Sequence, residues 1–144
     1  MLAELTLCFA YGSNLNAKRF ESRCPNSRFV RKAVLFNYEF IIASRGFASV
    51  IPSPGGRVEG ALYKLTKADE KNLDKWEGVD KGLYRKENHP VKVGAKPITA
   101  LVYIDNDPRP GVASEDYCEI ILKGAADRKL SKAYQKKLLA IMTR

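Results

Sequence analysis

The sequence predicts an α+β fold, a mixed α/β domain in which helices frame a sheet or barrel. Between residues 33 and 104, short apolar or alternating segments are separated by Gly- or Pro-containing turns, which is the pattern of β-strands. Helical patterns with polar caps precede and follow this β-rich part. Because we find no repeat and no linker, we expect one domain over residues 1–144.

The expected strands are apolar runs or alternating segments bounded by turn residues, at residues 5–10, 33–36, 39–43, 58–65, 84–93 and 98–104. The first strand ends at a turn over residues 11–14, and residues 53–56 are predicted to form a turn before the strand at 58–65. Helices are expected at residues 16–22, 66–77, 114–126 and 131–142.

The helix at 66–77 has marked ends. Thr66 and Asp69 have the spacing of a capping box, which satisfies free N–H groups at a helix start. Gly78 is the residue type that most often follows a helix end. The helix therefore stops directly after Glu77.

Glu77 is the first candidate catalytic residue. It shares a helical face with Leu73 and Trp76, so a carboxylate lies on an apolar face. Apolar neighbours and the negative end of the helix dipole both raise the pKa of such a group, which makes Glu77 a candidate general base and acid. The alternative is a partly solvated glutamate that borders the core.

Composition indicates an ordinary globular chain: 144 residues with 45% hydrophobic and 28% charged residues. No apolar run approaches the roughly 20 residues that span a bilayer. The first residues carry Glu4 and lack the basic start of a signal peptide. We therefore expect a cytoplasmic protein with no membrane partner.

The inventory of metal-ligating side chains is poor. Cys8, Cys24 and Cys118 are odd in number and widely spaced, which indicates free thiols and not a disulfide framework or a cysteine metal site. The single histidine, His89, is expected in a turn, and one histidine excludes centres built on several. We expect no metal site.

A net charge of +9 raises the question of a nucleic-acid partner. The basic residues form patches around residues 19–23, 28–32 and 129–137, without a nucleic-acid motif or regular aromatic interleaving. A solvated basic surface that favours entry of a small acidic substrate is the preferred interpretation, and no nucleic-acid partner is expected. An adaptor that binds nucleic acid through this surface is the alternative.

Residues 9–15 pass from a strand through a glycine turn into a helix. Gly12 permits a tight, even left-handed backbone, and successive N–H groups near a helix start can bind a carboxylate or an oxyanion. Ser13 and Asn14 add side-chain donors. The alternative is an ordinary structural turn with a helix cap.

Four segments taken in order, residues 9–15, 53–60, 73–79 and 82–85, resemble the gamma-glutamylcyclotransferase family. The resemblance extends to Tyr117 ahead of residues 120–125 and to Tyr134 with the residues that follow it, so it covers nearly the whole chain. It implies a small, partly closed β-barrel-like sheet flanked by helices, with a pocket that joins the loop at 11–14 to Glu77.

The resemblance also implies a reaction: a γ-glutamyl amino acid or amine is cyclised to 5-oxoproline, and the amino acid or amine is released without metal or organic cofactor. Glu77 is implied as the catalytic residue. The implied substrate-binding residues follow from the same motifs, and they are Tyr11, Gly12, Ser13, Asn14, Leu15 and Tyr117. Tyr117 could alternatively pack its ring against the core, and a pocket role for Tyr84 is weaker still.

Two further expectations concern partners. The fold is compatible with a homodimer, although no segment specifies a partner surface. A noncatalytic protein that binds a small acidic metabolite in the same pocket is the alternative function. Glu77 argues against it, because a site for an anion gains little from a buried carboxylate.

Overall fold

The computed structural model describes residues 4–143, in which five strands close into a barrel. The strands are β1 (Leu5–Ala10), β2 (Arg28–Ile42), β3 (Ala48–Thr66), β4 (Tyr84–Val93) and β5 (Lys96–Asp105). Their order around the ring is β1, β3, β2, β4, β5. All neighbours are antiparallel except β5 and β1, which run parallel where the ring closes. The predicted α+β class with a barrel-like sheet is therefore confirmed.

Four helices lie outside the strand ring, and they are α1 (Ala17–Arg23), α2 (Lys67–Trp76), α3 (Glu115–Asp127) and α4 (Lys132–Met142). Two short 3₁₀ turns cover Ser13–Leu15 and Val79–Lys81. Each of these four helices begins next to a capping side chain: that of Asn16, Thr66, Ser114 or Ser131 accepts a hydrogen bond from an N–H group in the first turn.

The two longest strands differ from the prediction. The two strands predicted at residues 33–36 and 39–43 form one strand, β2, which ends at Ile42, because Asn37 takes a positive φ of 65° and forms a bulge without ending the strand. The turn predicted at residues 53–56 lies inside β3 as an expanded bulge: Phe36 pairs with Arg57, and two residues later on β2 the partner is Pro52. The N–H of Gly55 donates to the Asn37 side chain at 3.1 Å across this irregularity. His89, expected in a turn, lies within β4.

The strands contribute much of the apolar core. Their fully buried large side chains include Phe9, Leu35, Val50, Val58, Leu62, Leu65 and Val91. On the outside, Leu138 of α4 is fully buried, as the helical pattern predicts. The start of α4 is fixed by the buried Glu59 carboxylate, which accepts from the Ser131 N–H at 2.8 Å and from its hydroxyl at 2.7 Å.

The start of α2 is only half of the predicted capping box. The Thr66 hydroxyl accepts from the Asp69 N–H at 3.1 Å, as expected. The Asp69 carboxylate does not return to Thr66 but accepts from the Ser27 hydroxyl at 2.6 Å and the Asn26 N–H at 2.9 Å. The Ser27 oxygen in turn accepts from the Thr66 N–H at 3.1 Å. The cap therefore ties α2 to the segment that leads into β2.

Candidate active site

A cavity of about 360 Å³ opens where β1 leads into the turn at Ser13–Leu15. This volume lies within the range of small-molecule sites. Its wall is formed by residues at the end of α2 and by parts of β1, β4, β5, α1, α3 and the β2–β3 loop. Among the predicted site residues, Tyr11, Gly12, Ser13, Asn14, Glu77 and Tyr117 line the cavity.

Glu77 is placed by the end of α2. Its N–H donates to the Leu73 carbonyl at 2.9 Å, and the next residue, Gly78, adopts a left-handed conformation with φ of 63° that ends the helix. A side chain at position 78 would also collide with Leu83, 2.7 Å away. The half-buried Glu77 side chain therefore enters the cavity from a fixed helix end.

Burial raises the pKa of Glu77 above its ordinary value, and this effect outweighs the guanidinium of Arg23 and the hydrogen bond from Asn14, which act to lower the pKa. The direction is the one predicted from the sequence. The predicted cause is only partly right, because Trp76 is 60% exposed and does not form a buried face with Glu77. Burial in the cavity wall, with Leu73 in the core behind the helix, supplies the apolar surroundings.

Asn14 connects Glu77 to a guanidinium. Its side-chain N–H donates to Glu77 Oε1 at 3.3 Å, while its oxygen accepts from Arg23 Nη1 at 3.1 Å. Because only the oxygen of the amide can accept from Arg23, the nitrogen must face Glu77. The Asn14 carbonyl also accepts from the Tyr63 hydroxyl at 2.6 Å. The carboxylate is therefore held by an amide whose orientation is fixed at both ends.

Gly12 does not have the left-handed backbone that the sequence suggested, since its φ is −121°. Its small size matters instead: a Cβ at this position would lie 2.9 Å from the Ala48 Cβ. In the part of the chain that the structure describes, the backbone N–H groups of Gly12 and Ser13 have no hydrogen-bond partner. Because both residues line the cavity, these two donors are candidates to bind an anionic ligand.

Two tyrosines hold the backbone N–H and carbonyl of Ala48 at the cavity wall. The Ala48 N–H donates to the Tyr117 oxygen at 3.0 Å, and the Tyr84 hydroxyl donates to the Ala48 carbonyl at 2.6 Å. Burial raises the pKa of Tyr117, so its hydroxyl stays protonated and its hydrogen can be donated to a ligand. Tyr11 differs, because its hydroxyl donates to the Tyr103 carbonyl at 2.6 Å and supports the wall.

Leu15 does not belong to the cavity wall. Its side chain is fully buried in the core, and its N–H donates to the Gly12 carbonyl at 3.0 Å. Neither group is free to contact a ligand, so the expectation that Leu15 binds substrate is corrected to a packing role. A leucine occupies this position of the motif because it is the last residue of the 3₁₀ turn and is buried in the core.

Sequence reasoning missed three arginines that line the cavity: Arg19, Arg23 and Arg45. The first two were assigned to a solvated patch, although their spacing of four residues places them on one face of the helix that follows the loop. That spacing was the available signal. Arg45 lies in the connection between β2 and β3, and no local pattern links it to the loop or to Glu77.

The cysteines do not offer a competing nucleophile. Cys8, Cys24 and Cys118 are buried free thiols. Burial raises the pKa of Cys24 to about 12, and it also raises the pKa of Cys8 and of Cys118. Thiols with raised pKa values are poor nucleophiles near neutral pH. Among residues 4–143, no group of three His, Cys, Asp or Glu side chains is arranged to hold a metal ion.

Comparison with known proteins defines the class. The model of the AIG2-like family matches residues 57–138, which is more than half of the chain. The barrel and its cavity thus belong to a protein of the AIG2-like class. No helix within the described residues has the length and apolar character needed to cross a bilayer.

Closer relatives define the family. Human gamma-glutamylcyclotransferase is 34% identical, over 96% of this chain and 79% of the relative. The bovine gamma-glutamylcyclotransferase is 33% identical with the same coverage. A solved structure of a gamma-glutamyl cyclotransferase matches with a TM-score of 0.90 and 33% identity, over 96% of this chain and 88% of that one. The chain belongs to the gamma-glutamylcyclotransferase family and is an enzyme of this type.

Proposed function

We propose that this enzyme cyclises a γ-glutamyl amino acid or γ-glutamylamine to 5-oxoproline, with Glu77 as the group that moves the proton. The observation that carries the proposal is a carboxylate of raised pKa on the wall of a small cavity, fixed by Asn14 with Arg23 behind it. A base whose pKa lies closer to neutrality than that of an ordinary glutamate can both accept and return a proton.

The reaction is an intramolecular acyl transfer. Glu77 takes a proton from the α-ammonium group of the substrate, and the resulting amine attacks the γ-carbonyl carbon to close a five-membered ring. The bond from this carbon to the leaving nitrogen then breaks, and Glu77 returns its proton to that nitrogen. The ring nitrogen loses a second proton, which the released amine takes up, so the products are the 5-oxoproline lactam and an ammonium compound.

The remaining cavity residues bind the substrate in this proposal. The unpaired N–H groups of Gly12 and Ser13 receive the α-carboxylate of the γ-glutamyl group. The Tyr117 hydroxyl donates to a substrate oxygen, and Asn14 holds the carboxylate of Glu77 towards the α-nitrogen. Tyr11 contributes its ring to the wall, since its hydroxyl is already bonded to the backbone.

The test is the formation of 5-oxoproline from γ-glutamyl dipeptides and γ-glutamylamines, measured by mass spectrometry. Wild-type enzyme is expected to form the product, and Glu77→Gln should lower kcat by about 10²- to 10⁴-fold, the usual contribution of a general base. Glu119→Gln is the matched control, because Glu119 is exposed on α3 and the charge change is the same. A folded Glu77→Gln enzyme that binds substrate and turns it over normally would refute the proton role.

Three wider expectations belong to the same proposal. Buried free thiols support residence in the cytoplasm, where thiols stay reduced, and fractionation of cells that express the protein tests this. A homodimer is compatible with the fold, and light scattering measures the mass in solution. A single cooperative unfolding transition by two probes would support one domain over residues 1–144.

A further inference from the structure

Arg45 is the cavity arginine whose position is fixed most completely. Its Nη2 lies 3.0 Å from Asp105 Oδ2, and its guanidinium carbon lies 5.5 Å from the ring centres of both Phe47 and Tyr84. Asp105 is 1% exposed, and its second oxygen accepts from the Asp107 N–H at 2.8 Å. A buried carboxylate and two aromatic rings therefore hold the guanidinium in place at the cavity wall.

One edge of this guanidinium is unused. Asp105 is the one residue within 4–143 that accepts a hydrogen bond from the Arg45 side chain, although a guanidinium carries five N–H donors. About one third of the side chain is exposed, and the residue lines the cavity. The free edge has the planar, two-donor geometry that matches a carboxylate.

The other two arginines are less suited to this task. Arg23 already donates to Asn14, and its guanidinium lies 4.6 Å from the centre of the Trp76 ring. Arg19 lines the cavity from α1, and among the described residues no carboxylate forms an ion pair with its side chain to fix its position. Preorganised donors lose less conformational entropy when a ligand binds, which favours Arg45 as the selective contact.

The charges around the cavity match an anionic substrate. Among the described residues, three guanidinium groups line the cavity, those of Arg19, Arg23 and Arg45. They are balanced by the Glu77 carboxylate on the wall and the Asp105 carboxylate paired with Arg45, so one positive charge is left over. A γ-glutamyl amino acid carries two carboxylates and one ammonium group, and its net charge is therefore one negative. A γ-glutamylamine lacks the second carboxylate and has no net negative charge to offer.

We propose that Arg45 is a specificity-determining residue that binds the carboxylate of the leaving group, so that γ-glutamyl amino acids are preferred over γ-glutamylamines. The inference rests on the proposed function, in which the N–H groups of Gly12 and Ser13 bind the α-carboxylate of the γ-glutamyl part. With that carboxylate placed, the second one is bound by the free edge of Arg45, and a leaving group without it has no partner there.

Two matched substrates isolate this contact: γ-glutamyl-alanine and γ-glutamyl-alaninamide, which differ only in the terminal carboxylate. We expect the wild-type kcat/KM for the acid to exceed that for the amide by about ten- to hundredfold, the range of a hydrogen bond to a charged group. In Arg45→Gln this ratio should fall close to one.

Because Arg45→Gln leaves the buried Asp105 carboxylate without its partner, the decisive variant is Arg45→Gln/Asp105→Asn, which replaces the ion pair with an amide pair. The matched control is Arg19→Gln, which removes the same charge from the same cavity and should keep the preference. Loss of the preference in the double variant, with the preference kept in Arg19→Gln, supports the proposal. An unchanged preference in the double variant, or an equal loss in Arg19→Gln, overturns it.

Binding separates this inference from the reaction itself. Calorimetry measures the dissociation constants of γ-glutamyl-alanine and γ-glutamyl-alaninamide for two proteins. One is Glu77→Gln, and the other carries Arg45→Gln and Asp105→Asn in addition. No 5-oxoproline from wild-type enzyme with any of the γ-glutamyl dipeptides or γ-glutamylamines, these two compounds included, would refute the proposed function. The calorimetric ratio would still test Arg45: tighter binding of the acid that depends on Arg45 supports the contact, and equal binding refutes it.

Discussion

Glu77→Gln should make the protein more stable at neutral pH, although it removes the proposed catalytic group. In the folded state, burial holds the pKa of Glu77 above its ordinary value, despite the opposing effects of Arg23 and Asn14. The native protein therefore binds this proton more tightly than the unfolded chain does. Ionisation of Glu77 then costs folding free energy, and a neutral glutamine of similar shape does not incur this cost.

The sign and the pH window follow from the direction of this shift. Below the unfolded pKa of about 4.3, Glu77 is protonated in both states and contributes no pH-dependent difference. As the pH rises through the window between the unfolded and the folded pKa, wild type loses stability and Glu77→Gln does not. The variant should therefore match wild type most closely at low pH and exceed it above the folded pKa.

The magnitude scales with the gap between the two pKa values. Each unit is worth about 1.4 kcal/mol. For a chain of this size, that corresponds to a rise in Tm of roughly 3 to 5 °C per unit. The glutamine oxygen can still accept from the Asn14 side chain, now 3.3 Å from Glu77 Oε1, so the Asn14 donor keeps its partner.

The assay is urea or thermal unfolding of both proteins at a series of pH values from 4 to 8, with exposed Glu119→Gln as the control for a change in net charge. The stability difference between Glu77→Gln and wild type should grow with pH, and the control should show no comparable trend. A Glu77→Gln protein that is less stable than wild type at pH 8, or a difference independent of pH, would refute the assignment of a half-buried carboxylate with a raised pKa.

Two other substitutions test the support of the site and the barrel. Asn14→Ala should lower kcat/KM about tenfold and move the acid limb of the pH profile upwards, because the Asn14 hydrogen bond lowers the pKa of Glu77; an unmoved limb would contradict this. Gly60→Ala should destabilise the barrel by about 1–3 kcal/mol, since its new methyl group would lie 2.6 Å from the Phe9 ring and close to the Ala10 carbonyl; an unchanged urea midpoint would contradict it.

Local patterns were sufficient for most elements of the fold. The bounds of β1 and β4 were predicted correctly, and all four helices begin where a capping side chain precedes a helical pattern. Turn residues were less reliable. The sequence predicts that a strand ends near Asn37 and that a turn contains Gly55. Both residues take positive φ values, but the hydrogen bonds of the β2–β3 ladder on either side keep both strands continuous. Pairing over long sequence distance, which local propensity does not encode, decides that outcome.

The candidate site also contains residues that local sequence patterns reveal and residues that only the fold brings together. Gly12 and Asn14 could be singled out because they lie in the turn that follows β1, and Glu77 because it directly follows α2 and precedes a glycine stop. Arg45 could not, because its proposed role depends on Asp105, which is 60 residues later in the chain, at the end of β5. Leu15 was assigned to the site only because it belongs to the same motif. Its full burial indicates that the motif contains a leucine because the turn must pack against the core.

One geometric relation explains why the loop after β1 and the end of α2 meet. β1 pairs antiparallel with the last part of β3, so Thr66, where β3 ends and α2 is capped, lies beside Leu5 at the start of β1. The ten residues of α2 then extend about 15 Å, while the six residues of β1 extend about 20 Å. Since α2 packs against β1 and β3, a helix of this length returns its last residue to the level at which β1 ends. Adding or deleting a full turn in α2 would therefore move Glu77 away from Asn14, even if every strand of the barrel remained intact.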